Sequence, residues 1–130
     1  MMSAANSVNW FEIYVQDMAR ARAFYEAILG IRLEALKLPE GGDDGLEMWS
    51  FPGDMERYGA NGALCAMPGA PSGPGGTLVY FACEDCGATA DRVADAGGRV
   101  HRTKMSIGEY GFIALAFDTE GNMIGLHSMH

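Results

Sequence analysis

Residues 17–30, DMARARAFYEAILG, and residues 85–98, DCGATADRVADAGG, decide the fold. Each segment is typical of a helix that begins after an aspartate and ends at a glycine. Asp17 and Asp85 are candidate N-caps, since an aspartate side chain accepts hydrogen bonds from the first free N–H groups of a helix. Gly30 and Gly97–Gly98 stand where a left-handed residue would end each helix. Gly30 stands thirteen positions after Asp17, and Gly98 stands thirteen positions after Asp85. This register match indicates a duplicated supersecondary unit.

Strand-like segments surround both helices in the same order. Runs rich in β-branched and aromatic residues precede the helices at 8–15 and 77–83. Three more strands are predicted after each helix, at 31–38, 46–51 and 62–67 and then at 99–104, 112–118 and 122–128. We predict one α+β domain of two βαβββ modules, at about residues 6–67 and 76–129 with a Gly- and Pro-rich linker at 68–75. The two modules would form a curved eight-stranded sheet with its helices on the outer face and a concave ligand cavity.

Length and composition exclude several classes of protein. A chain of 130 residues fits one domain, and its net charge of −8 argues against a nucleic-acid partner. No apolar run approaches the roughly 20 residues that cross a bilayer, and the N-terminal residues lack the pattern of a secretory signal. We therefore expect a cytoplasmic protein with no membrane partner, in which Cys65, Cys83 and Cys86 are free thiols.

Three segments, at 9–30, 75–100 and 108–128, carry a resemblance to a known family. Their most specific features are the helix entry from Asp17 to Tyr25 and the turn from Asp118 to Asn122. With these features the chain resembles the vicinal oxygen chelate superfamily of glyoxalase, bleomycin-resistance and dioxygenase proteins, and most nearly its branch related to lactoylglutathione lyase. The resemblance implies the two-module fold, a small-molecule ligand in the concave cavity and a homodimer.

Metal-dependent members of that superfamily hold a divalent ion with side chains of the concave face. The corresponding positions of this sequence are Trp10, Cys65, Leu78 and Gly125. One thiol among three groups that are not ligands does not satisfy zinc or a harder cation. We therefore expect no metal and no cofactor. The alternative is a metal-dependent lyase or dioxygenase whose ligands come from Glu12, His127 and one further residue.

Alternation along the first strand predicts which side chains line the cavity. Phe11, Ile13 and Val15 form the apolar set that should meet the helix, which places Trp10, Glu12 and Tyr14 on the concave face. Glutamate is depleted in strands, and an unpaired buried charge costs several kcal/mol, so Glu12 needs a role or a partner. It is predicted to be a general base or a ligand-binding acceptor, with a structural ion pair or a wet strand face as the alternatives.

The last strand supplies a companion to Glu12. Ile124 and Leu126 should face the helix, which leaves Gly125 and His127 on the concave face, and Tyr80 is predicted to join them from the fifth strand. A lone histidine in a strand is more often structural than catalytic. The predicted ligand-binding residues are Trp10, Glu12, Tyr14, Tyr80, Gly125 and His127, with Glu12 and His127 as the candidate catalytic pair.

The sequence therefore predicts a protein that binds a small organic molecule, with non-catalytic drug sequestration as a further alternative. Three other features have competing interpretations. Cys83–Glu84–Asp85–Cys86 has the spacing of a redox pair, although its two carboxylates would oppose thiolate formation and two buried small side chains explain it equally well. Glu109 is interpreted as a turn residue beside a cavity mouth, and residues 41–45 as a hairpin loop.

Overall fold

The computed structural model describes residues 6–39, 45–54 and 56–130, so most of the hairpin loop predicted at 41–45 lies outside the described residues. The chain divides into a first unit, Trp10–Thr77, and a second unit of Leu78–His130 with the residues up to Asn9. Neither described helix has the length and apolar composition that a bilayer-crossing segment requires. The elements are β1 Val8–Tyr14, α1 Met18–Leu29, β2 Glu34–Ala35, β3 Glu47–Ser50, β4 Asn61–Ala66, β5 Thr77–Ala82, α2 Cys86–Asp91, β6 Arg99–Ser106, β7 Phe112–Phe117 and β8 Met123–Ser128.

In the first unit the strands follow the order β2-β3-β4-β1, and β1 runs parallel to β4. Helix α1 begins and ends as its sequence predicts. The Asp17 side chain accepts a hydrogen bond from the Arg20 N–H at 3.0 Å, and Gly30 adopts a left-handed φ of 65°. The helix packs on the sheet through Met18, which joins the buried Leu33 and Leu64.

The second unit repeats this plan with the strand order β5-β8-β7-β6 and with β5 parallel to β8. Helix α2 packs on β6, β7 and β8. Its buried residues Cys86 and Ala90 meet Ala114 and Leu126 of the sheet. The described residues thus form eight strands of mixed direction and two helices, and the prediction of an α+β fold built from two βαβββ modules is confirmed.

Three local predictions are wrong. Helix α2 ends at Asp91 rather than near Gly97, because the N–H groups of Arg92 and Val93 bond three residues back, which tightens the chain into successive turns. Strand β2 is two residues long instead of spanning 31–38. The three- and four-residue spacing of apolar residues between Asp17 and Gly30 also predicts that Phe24 and Leu29 pack on the sheet, but they are 56% and 54% exposed.

An aromatic ring lies over a glycine in the parallel strand pair of each unit. Phe11 of β1 is directly opposite Gly62 of β4, and Tyr80 of β5 is directly opposite Gly125 of β8. A β-carbon added at Gly62 would lie 2.5 Å from the ring of Phe11, and one at Gly125 would lie 2.3 Å from the ring of Tyr80. Both distances are shorter than any van der Waals contact, so each ring occupies the space that a side chain would need.

We expect Gly125→Ala to destabilise the protein by about 1–3 kcal/mol, because the added methyl group overlaps the Tyr80 ring and forces the strand or the ring to shift. Urea unfolding followed by circular dichroism measures the change. The same substitution in a Tyr80→Leu background should cost clearly less. A Gly125→Ala protein as stable as wild type, or purely additive effects of the two substitutions, would contradict this contact.

Candidate functional site

Glu12 lies on the helix-free face of the first sheet, which is the face opposite the helix of its own unit. The residue is 8% exposed. The Tyr14 hydroxyl donates to Oε1 at 2.8 Å, and the Trp10 Nε1–H donates to Oε2 at 3.1 Å. Residues two apart in a strand share a face, and Ile13 and Val15 pack instead with Met18 of α1. The predicted faces of β1 are therefore confirmed, and Glu12 has two donors from its own strand.

An apolar cluster lies beside Glu12. Met48, Ala63 and Cys65 form a buried cluster, and Ala63 is directly opposite Glu12 in β4. Residues packed against that cluster are Trp10, Tyr14, Leu36, Leu38 and Leu46. A carboxylate thus stands in an apolar wall, where a hydrogen bond to it is stronger than in water.

Cys65 is fully buried in that wall. Its burial first, and the negative charge of Glu12 second, raise the pKa of the Cys65 thiol. Both effects disfavour the thiolate, so the sulfur stays protonated at neutral pH. Cys65 is consequently a packing residue beside the carboxylate and not a nucleophile.

His127 of β8 uses both of its ring nitrogens within the second unit. Nε2 is 2.6 Å from the carbonyl oxygen of Tyr110, and Nδ1 is 3.3 Å from Nδ2 of Asn9. Because a carbonyl only accepts, Nε2 must carry a hydrogen, and in the neutral ring Nδ1 then accepts from the Asn9 amide. A general-base role for His127 would require breaking one of these bonds, so the arrangement favours a structural role.

Tyr80, Gly125 and His127 share the helix-free face of the second sheet. The register places Tyr80 opposite Gly125, and Ala82 opposite His127. The six predicted ligand-binding residues thus fall into two groups of three, one in each unit. Sequence reasoning missed Asn9 and Tyr110, the partners of His127. The Tyr110 contact uses a backbone oxygen, and no pattern of side chains indicates such a contact.

The remaining motifs have ordinary surroundings. Cys86 is fully buried in the α2 core, where its N–H donates to Ser128 Oγ at 2.9 Å, while Cys83 is half-buried. This burial favours the packing interpretation of the C-x-x-C motif. Glu109 is exposed in a single 3₁₀ turn, Gly108–Tyr110.

Two open depressions of about 450 and 500 Å³ flank α2. Asp85 and Lys104 line the first, and Phe81 and Arg92 line the second. None of the six predicted ligand-binding residues lines either depression. The depressions carry the Asp85 cap of α2 and its ion pair with Lys104.

The four positions that correspond to the family's metal ligands do not fit a divalent cation. Trp10 donates its N–H to Glu12, Leu78 is buried and apolar, Gly125 has no side chain, and the raised pKa of Cys65 keeps its thiol protonated. Across residues 6–39, 45–54 and 56–130, no three His, Cys, Asp or Glu side chains lie together as a metal site requires.

Comparison with known proteins identifies a matching family. Residues 7–126 match the model of the Glyoxalase/Bleomycin resistance protein/Dioxygenase superfamily. The putative glyoxylase CFP32 of Mycobacterium tuberculosis (strain CDC 1551 / Oshkosh) is 30% identical over 121 residues, which cover 93% of this chain and 43% of that protein. The anthracycline biosynthesis protein DnrV of Streptomyces peucetius is 29% identical over 120 residues, which cover 86% and 43%. The chain therefore spans less than half the length of these relatives.

Solved structures share the fold at low identity. Methylmalonyl-CoA epimerase from Mycobacterium tuberculosis superposes with a TM-score of 0.68 at 18% identity, covering 100% of this chain and 93% of that one. Hypothetical protein BH1468 from Bacillus halodurans C-125 gives a TM-score of 0.70 at 13% identity, covering 96% and 95%. At these identities the likeness concerns the fold.

We expect the three thiols to differ in reactivity. Ellman's reagent at pH 8 should modify the half-buried Cys83 in the native protein and leave Cys65 and Cys86 unmodified, because both are fully buried and the pKa of Cys65 is raised. All three should react in denaturant, and Cys83→Ser should remove the native reaction. Rapid modification of Cys65 in the folded protein would show that the wall around Glu12 is open.

Proposed function

The chain belongs to the glyoxalase/bleomycin resistance protein/dioxygenase superfamily, and from this premise we propose that it binds a small organic molecule at Glu12, on the helix-free face of its first sheet. The observation that carries the proposal is a buried carboxylate in an apolar wall, held by Trp10 and Tyr14. Ligand sites commonly combine apolar and aromatic walls with a few fixed polar groups.

The geometry at Glu12 suits recognition of a hydrogen-bond donor. A carboxylate has two oxygens with about four acceptor positions, and the Trp10 and Tyr14 donors fix the orientation of those oxygens. The rings of Trp10 and Tyr14 flank the carboxylate and offer flat apolar surface to a ligand. A ligand with an N–H or O–H group on an apolar body would satisfy both features. The same carboxylate would take up a proton from an acidic ligand if the protein is an enzyme.

We further propose that ligand binding needs no metal ion. The residues at the family's ligand positions support this, since Trp10, Leu78 and Gly125 offer no metal donor. These residues support a binding protein that sequesters its ligand without a reaction. The homodimer that the resemblance implies, and the cytoplasmic location, stay predictions.

A thermal-shift experiment tests the role of Glu12. Phenol and indole should raise the Tm of the wild-type protein more than anisole and N-methylindole, which lack the donor hydrogen. In Glu12→Gln the difference in Tm shift between the donors and their methylated analogues should fall by at least half. The amide is a weaker acceptor than a carboxylate, and its terminal nitrogen donates instead of accepting.

Glu47→Gln is the matched control for this experiment. Glu47 accepts a hydrogen bond from the Trp49 indole at 2.8 Å, as Glu12 does from Trp10, but it is exposed on β3. This variant should keep the wild-type response. The proposal fails if Glu12→Gln, shown to be folded by circular dichroism, retains the full preference for the donors.

Metal analysis tests the second part of the proposal. Protein purified without added metal or chelator should contain well under one equivalent of zinc, nickel, iron or manganese by mass spectrometry. A stoichiometric metal that a chelator removes, with loss of a substrate turnover that the same metal restores, would favour the metal-dependent lyase or dioxygenase instead.

A further inference from the structure

Irregular pairing of β6 places two arginines on the same face of the second sheet. Arg99 and Arg102 are three residues apart, so regular alternation would place them on opposite faces. The register instead sets Arg99 opposite Phe117 and Arg102 opposite Leu115, and these partners are two residues apart. A register shift between Val100 and Arg102 takes up the extra residue. Such bulges are frequent next to functional sites, where they redirect a side chain.

The face that carries these arginines is the helix-free one. Ala114 of β7 packs in the core with Cys86 of α2, so its neighbour Leu115 points away from the helix. Lys104 belongs to the opposite face, because its Nζ is 2.9 Å from Asp85 Oδ1 and 4.7 Å from the centre of the Phe112 ring, both on the α2 side. The cations of β6 are thus divided between its two faces.

The register also places one residue from each strand in a continuous row across this face. Arg102, Leu115, Gly125 and Tyr80 are successive partners across β6, β7, β8 and β5. Three strand spacings make this row about 14 Å long, which matches a small organic molecule. Leu115 is half-buried, and Gly125 adds no side chain of its own. The row therefore runs from the Arg102 guanidinium over the apolar Leu115 to the Tyr80 ring, which covers Gly125.

The two guanidinium groups lack carboxylate partners among the described residues. The Arg99 group lies 4.5 Å from the centre of the Phe117 ring, and Arg102 Nη1 is 3.3 Å from the Met105 sulfur. Neither arginine takes part in a salt bridge found in the described part of the chain. Residues 99–108 contain no Asp or Glu, although the chain carries a net charge of −8. Charged side chains also protect an edge strand, but that role does not require a shared face.

We propose that the helix-free face of the β5-β8-β7-β6 sheet binds an organic acid, whose carboxylate is held by Arg99 and Arg102 and whose apolar body lies over Leu115. A guanidinium presents donors in a planar fork that matches a carboxylate. The inference goes beyond the proposed function, because it adds a second site with its own class of ligand. It concerns the second unit and does not involve Glu12.

Titration of the whole chain with 2-naphthoate and with its neutral amide, 2-naphthamide, tests this inference by isothermal calorimetry. We expect the acid to bind about tenfold more tightly than the amide, because a charge-assisted hydrogen bond to arginine is about twice as strong as a neutral one. In Arg99→Gln/Arg102→Gln the acid and the amide should bind equally. Both arginines are exposed, so the variant should fold.

Lys104→Gln is the control, since it also removes positive charge from the same strand, one charge rather than two, but on the other face. It should keep the preference for the acid within about twofold, because its charge is distant and screened by salt. Equal binding of acid and amide by wild type overturns the organic-acid inference and leaves the proposed function standing. If Lys104→Gln loses the preference for the acid to the same extent, the preference comes from net charge, and the organic-acid inference is likewise overturned.

Two other results would overturn the inference in different ways. If neither compound binds, and the donors phenol and indole also fail to raise the Tm, both proposals fail together. If sedimentation shows a dimer that excludes 2-naphthoate, while Arg99→Gln/Arg102→Gln yields monomers, the face is an interface with a second copy of the chain.

Discussion

Each unit of the structure depends on an aromatic ring that occupies the space of a missing side chain. Phe11 over Gly62 and Tyr80 over Gly125 join the first strand of a unit to its last strand, and these are the parallel pairs. A shift of one residue in either pair would place a β-carbon under the ring, so the contact restricts the register. The register in turn sets Glu12 opposite Ala63, and sets Gly125 in line with Leu115 and Arg102.

The duplicated units use this contact on opposite faces. Phe11 joins the α1 side of its sheet, where Phe51 and Tyr25 continue a chain of rings, whereas Tyr80 lies on the helix-free side. The helix-free face of the first sheet is thus left to Trp10, Glu12 and Tyr14, and that of the second carries Tyr80 together with two arginines. One face offers a hydrogen-bond acceptor and the other offers cations, so two similar halves of one scaffold present different chemical groups.

Sequence patterns predicted those parts of the structure that local chemistry controls. Asp17 and Gly30 determine the ends of α1, and strict alternation determines the faces of β1. The end of α2 was not predictable from Gly97, because hydrogen bonds three residues back end the helix earlier and leave no composition signal. The shared face of Arg99 and Arg102 depends on a bulge that only the partner strand reveals. Residue type alone likewise did not distinguish the exposed Phe24 from the packed Tyr25.

The carboxylate of Glu12 and its donors Trp10 and Tyr14 lie within five consecutive residues of β1. A strand moves as a stiff segment, so bending or sliding of the sheet carries the acceptor and these two donors together and leaves their distances unchanged. The acceptor is therefore preassembled before any ligand arrives, and the cost of orienting its side chain falls on folding rather than on binding. Longer relatives, of which this chain matches 43%, would need to retain only this short segment to keep the same arrangement.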